Sequence, residues 1–69
     1  MKRPPSPMQD ETLEHIRAFI AEKGYAPTVA ELAAKAGVRS FAMQNRLDAL
    51  EDKGHIKRDP KVARSIRLS

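Results

Sequence analysis

An α+β domain of three helices closed by a two-stranded β-hairpin is the fold class that this chain of 69 residues predicts. Three observations carry the expectation. Two apolar stretches at helical spacing each begin on a capping pattern, Ser6-Pro7-Met8-Gln9 and Thr28-Val29-Ala30-Glu31, and each stops at a glycine, Gly24 and Gly37. A third such stretch ends at Gly54, and beyond it polar and apolar residues alternate with the period of a strand. The same C-terminal segment holds Lys53, Lys57, Arg58, Lys61, Arg64 and Arg67 against Asp59 alone, whereas the whole chain is only +4.

Residues 1–5 read as a flexible basic arm, because Lys2, Arg3 and the Pro4-Pro5 pair offer no periodicity and two prolines favour an extended backbone. One domain then spans residues 6–69. In the first helix Ser6 is the expected N-cap, Pro7 suits the first helical position, and Gln9 can close a capping box. Leu13, Ile16 and Ile20 recur on one face with Phe19 alongside, while Asp10, Glu11, Glu14, Arg17 and Glu22 fall on the other. After a turn at Tyr25-Ala26-Pro27, the second helix turns Val29, Leu32, Ala33 and Ala36 inward, its small alanines allowing close approach to a neighbour. The turn Gly37-Val38-Arg39 tucks Val38 beneath it and leaves Ser40 as the N-cap of the third helix.

That helix is expected from Phe41 to Asp52, with Met43, Leu47 and Leu50 inward and Phe41, Gln44, Asn45, Asp48 and Asp52 outward. A strand of His55 to Arg58, a loop of Asp59 to Ala63 around the Asp-Pro turn, and a return strand of Arg64 to Leu68 complete the chain. Ile56, Ile66 and Leu68 should cover the open side of the helices.

Composition removes several classes. The chain has no cysteine, so neither disulfides nor zinc thiolates supplement its small core. No apolar run is long enough to span a membrane, and Met1-Lys2-Arg3 leads into prolines rather than the apolar core of a signal peptide, which points to a cytoplasmic protein. His15 and His55 sit in different elements without cysteine or carboxylate support, so they are expected at the surface, with no metal and no cofactor bound. No nucleophile-base pair or Gly-rich phosphate loop is present, and no catalysis is expected.

A basic hairpin after three helices is the layout of a winged helix-turn-helix, and its charge suits a polyanion. On the outward face of the third helix, Ser40, Gln44 and Asn45 offer donors and acceptors for base edges, the amides matching adenine N6 and N7. Phe41 has two readings, a contact to a thymine methyl or a hydrophobic staple folded back on the core. Gln44 and Asn45 are otherwise ordinary solvated residues, and the wing's cations are otherwise protection for exposed strands.

Taken in order, Pro-Thr-Val-Ala-Glu-Leu-Ala at residues 27–33, Gly-Val-Arg-Ser at 37–40, Leu-Asp-Ala-Leu-Glu-Asp-Lys-Gly-His-Ile at 47–56 and Ser-Ile-Arg-Leu at 65–68 resemble the N-terminal DNA-binding domain of the LexA repressors. The resemblance runs over residues 6–68. It implies a bacterial, nucleoid-associated repressor of the DNA-damage (SOS) response that binds double-stranded palindromic operators as a dimer and is inactivated by RecA-stimulated self-cleavage. The Ser-Lys self-cleaving and dimerising half of the family is missing from these residues, so RecA would act only through that half, and the free domain is expected to be a monomer. The recognition helix departs from the family's best-known pattern, and no operator sequence carries over.

By position, Ser40, Phe41, Ala42, Gln44 and Asn45 would read bases, while Arg39, Arg46, Lys57, Arg58, Lys61 and Arg64 would hold the DNA backbone, with Lys2 and Arg3 adding to them. The rival expectations are a winged-helix protein-interaction module, with Phe41 and Met43 as an exposed apolar patch, and a nonspecific nucleic-acid binder.

Overall fold

A computed structural model describes residues 3–59 and 61–69, so Met1, Lys2 and Pro60, with the expectations resting on them, lie outside the described residues. Three helices, α1 (Pro7–Lys23), α2 (Val29–Ala36) and α3 (Ser40–Asp52), precede an antiparallel pair, β1 (Ile56–Lys57) and β2 (Arg67–Leu68). This is the winged helix-turn-helix expected from the sequence.

Both capping boxes form. Ser6 Oγ accepts the Gln9 amide at 3.3 Å, and Gln9 Oε1 accepts the Ser6 amide at 3.0 Å. At α2 the corresponding pairs are Glu31 N–H to Thr28 Oγ1 at 3.1 Å and Thr28 N–H to Glu31 Oε1 at 2.9 Å. Each box satisfies two amides that the first turn leaves without a helical partner.

The turn between α2 and α3 depends on Gly37, whose φ of 71° lies in the left-handed region. A Cβ there would meet nothing within 4 Å, so glycine supplies conformation rather than space. Its amide donates to Ala34 O and the Val38 amide to Ala33 O, closing a Schellman motif that carries Val38 onto the core. Ser40 does not cap α3 as expected. It already belongs to the helix, and Arg39 stands in the cap position with an extended backbone and no side-chain bond. The helix ends at Gly54 through a second Schellman pair, His55 N–H to Leu50 O and Gly54 N–H to Glu51 O.

Leu13 and Ile16 of α1, Leu32 and Ala33 of α2, Met43, Leu47 and Leu50 of α3, and Ile56 and Ile66 from the wing form one buried cluster. Ile20, Ala26, Val29, Ala36 and Val38 pack around it. Thr12 is buried among these apolar groups because its hydroxyl donates to Met8 O at 3.0 Å. His15 is half-buried rather than at the surface, with its Nδ1 enclosed and without a hydrogen-bond partner among the described residues.

The wing differs most from expectation. Among the described residues its ladder pairs Ile56 with Leu68 and Lys57 with Arg67, extended by Ser69 N–H to His55 O, so the strands expected over residues 55–58 and 64–68 shrink to two residues each. Side chains close the remainder. The Asp59 amide donates to Ser65 Oγ and the Ser65 hydroxyl donates back to Asp59 O, both at 2.9 Å, while Asp59 Oδ1 accepts the Lys61 amide. Arg64 then takes a φ of 56°, which no extended strand accommodates. Leu68, expected inward, is 40% exposed although it pairs with the buried Ile56.

Candidate nucleic-acid interface

The outward side of α3 divides along its length. Its first turns present Ser40, Phe41, Gln44 and Asn45 to solvent, with Ala42 half-buried between them. Phe41 is 74% exposed, whereas Met43 is fully buried, so the Phe41–Met43 surface patch of the protein-interaction reading does not exist. The later turns carry carboxylates, and each is matched by an arginine from elsewhere. Arg58, at the exit of β1, pairs with Asp48 and reaches Glu51 at 3.2 Å. Arg3 meets Asp52 at 2.6 Å, and its carbonyl contacts the His55 ring.

The expected backbone-binding cations fall into three groups. Arg39, Lys57 and Lys61 are exposed, and among the described residues their side chains meet no carboxylate. Arg46 is half-buried, with its guanidinium 3.9 Å from Met8 Sδ. Arg58 and Arg64 are engaged internally. The Arg58 side chain is only 16% exposed between its two carboxylates. Arg64 donates to both Glu31 oxygens, at 2.7 and 3.3 Å, and to Ala26 O at 3.1 Å. Its guanidinium also lies 4.7 Å from the centre of the Tyr25 ring, which packs edge-on against Phe19.

The pKa of the Glu31 carboxyl is lowered from its ordinary value, chiefly because it accepts the Thr28 amide and secondarily because Arg64 bonds it. A groove of about 570 Å³ runs between Thr28 and Val29 at the start of α2, Gln44 and Asp48 of α3, and Arg58 and Lys61 of the wing.

Sequence reasoning counted Arg67 in the basic segment but assigned it no contact. It faces Lys57 directly across the ladder, and both side chains are exposed. Opposed like charges weaken an isolated hairpin, so the pair makes physical sense beside an anion. The signal lay in the alternation of the return strand, but only the register identifies Lys57 as its partner.

Comparison with known proteins fits this geometry. The family model described as the LexA DNA-binding domain matches residues 2–65. A LexA repressor of Caldicellulosiruptor saccharolyticus is 41% identical over 69 residues, covering 99% of this chain and 34% of that protein. The LexA repressor of Clostridium acetobutylicum is 44% identical over 62 residues, covering 88% and 30% of the two chains, and that of Oleidesulfovibrio alaskensis is 34% identical over 64 residues, covering 93% and 31%. The chain thus spans about a third of the length of these curated relatives.

Proposed function

The chain belongs to the LexA DNA-binding domain family, and from that premise we propose that it binds double-stranded DNA sequence-specifically, as the DNA-reading part of a bacterial transcriptional repressor. The division of α3 carries the reading. Its N-terminal half is free of carboxylates and offers Ser40, Phe41, Ala42, Gln44 and Asn45 to base edges in the major groove. Arg39 and Arg46 flank these residues, and Lys57, Lys61 and Arg67 of the wing hold phosphates on either side. Arg58 and Arg64 reach phosphate only by giving up partners they already have. Phosphate contacts supply most of the affinity, and the α3 side chains supply the choice of sequence. The site is two-fold, the DNA-damage response is the process regulated, and the cytoplasm is where the protein acts.

Selection from a random duplex pool at about 150 mM salt, where nonspecific binding is weakened, tests the proposal. Enrichment of a defined motif is expected. On that motif Gln44→Ala and Asn45→Ala each lose about 1 to 3 kcal/mol, with little loss on random DNA. Retention without enrichment would reduce the chain to a nonspecific binder, and equal losses on both duplexes would make Gln44 and Asn45 positioning residues.

A further inference from the structure

DNA docked on the first turns of α3 brings phosphates close to Asp48, which follows Gln44 by one helical turn, and to Glu51 beyond it. Bare carboxylates there would repel the backbone, since at physiological salt charges closer than about 8 Å are only partly screened. Neither carboxylate is bare. Both remain accessible, Asp48 at 65% and Glu51 at 42% side-chain exposure, but the Arg58 side chain that joins them is only 16% exposed. A planar guanidinium fork suits two carboxylates at once, as a lysine ammonium does not.

The same contact has a mechanical side. Arg58 leaves the chain where β1 stops, so its bonds to α3 hold the outgoing limb of the wing that two ladder pairs alone secure poorly.

We propose that Arg58 is a positioning residue for DNA recognition rather than a phosphate contact: it masks Asp48 and Glu51 and fixes the wing to α3, leaving the Gln44–Asn45 turn open to DNA. The proposal rests on the DNA-binding reading above. It assigns to Arg58 an effect transmitted through two named carboxylates, which separates it from a cation that touches DNA. A direct contact releases counterions, and its loss lowers the log-log salt slope by about one whatever Asp48 and Glu51 are. A masking residue is coupled to the carboxylates, and its loss is undone by neutralising them.

The test measures binding of the full chain to the selected duplex across a salt series, for wild type, Arg58→Met, Asp48→Asn with Glu51→Gln, and all three changes together. Methionine keeps an unbranched stem in the half-buried place and removes the charge together with the guanidinium's bonds to α3. The expected result is a loss of about tenfold in Arg58→Met, most of it recovered in the triple variant, as coupled neighbours behave. A loss of the same size in both backgrounds, with a salt slope lower by about one, would show Arg58 on phosphate and overturn the proposal.

A second measurement needs no variant: the carboxyl ¹³C signals of Asp48 and Glu51 should hold their positions when DNA is added to the wild-type chain. Shifts toward those of unpaired carboxylates would mean that Arg58 leaves for DNA, and would also overturn the proposal. If the wild type retains no duplex, the DNA-binding reading itself fails and takes this assignment with it, an outcome distinct from either of those.

Discussion

Phe41 leaves 74% of its surface in water at the second position of α3, an arrangement with no benefit to the isolated fold. The sequence left it between a thymine-methyl contact and a hydrophobic staple. With Arg39 in the cap position, the staple positions belong to Val38 and Met43, both of which join the core, so Phe41 has no inward role. If the ring reads a thymine methyl, replacing the thymines of the selected duplex one at a time by uracil should weaken wild-type binding at one position by a few-fold. The same replacement should leave Phe41→Ala unaffected. Uracil tolerated at every position would remove Phe41 from the base-reading set. Which α3 side chains face water was legible from the helical period alone, because Met43, Leu47 and Leu50 mark the buried face. The partners of the charged ones were not legible, because Arg58 and Asp48, or Arg64 and Glu31, meet only after the chain has folded back on itself.

The helices were readable for a physical reason that fails for the wing. A capping box or a Schellman turn is written within a few consecutive residues, whereas the wing is held by contacts such as Arg64 to Glu31 that span 33 positions. Period-2 alternation therefore forecast a longer ladder than the two pairs that form.

The anchor makes its own prediction at this scale. Arg64 holds a left-handed backbone at φ 56° while its side chain ties the returning limb to Glu31, Ala26 and Tyr25. In Arg64→Ala the anchor goes and the strained backbone stays, whereas Arg64→Gly loses the anchor and relieves the strain, so alanine should be the less stable by about 1 kcal/mol in a melting experiment. Equal stability would mean that the backbone at this position relaxes freely.

Acid acts on the same anchor. The folded Glu31 carboxyl titrates below its unfolded counterpart, so its contribution is complete above the unfolded pKa and is lost as pH falls through the folded one. An NMR titration should find the Glu31 pKa raised in Arg64→Gly yet still depressed, because the Thr28 amide remains its main cause. Full return to an ordinary glutamate value would transfer the whole effect to Arg64.

For the whole molecule, the question is how a single small domain reaches useful selectivity. Its dimensions are 29 × 23 × 21 Å, and successive major-groove sites on one face of DNA lie about 34 to 36 Å apart. Two copies therefore fit side by side on a two-fold site one helical turn apart without overlapping, each with α3 in its own groove. Among the described residues the wing and the start of α3 offer Arg39, Lys57, Lys61 and Arg67 as cations that meet no carboxylate, since Arg58 and Arg64 are engaged internally and Arg3 is paired with Asp52. On the proposed two-fold site, single-copy binding is expected to be weak, with affinity gained by joining two such modules. A tandem fusion of two copies through a flexible linker long enough to span the site should bind a duplex carrying both half-sites about 10²- to 10⁴-fold more tightly than one copy does. Inserting about five base pairs between the half-sites turns the second one to the opposite face of the helix and should remove most of that gain, while a full-turn insertion should restore part of it. A fusion whose affinity ignores this phase would show that one domain carries recognition by itself and that the two-fold reading of the site is wrong.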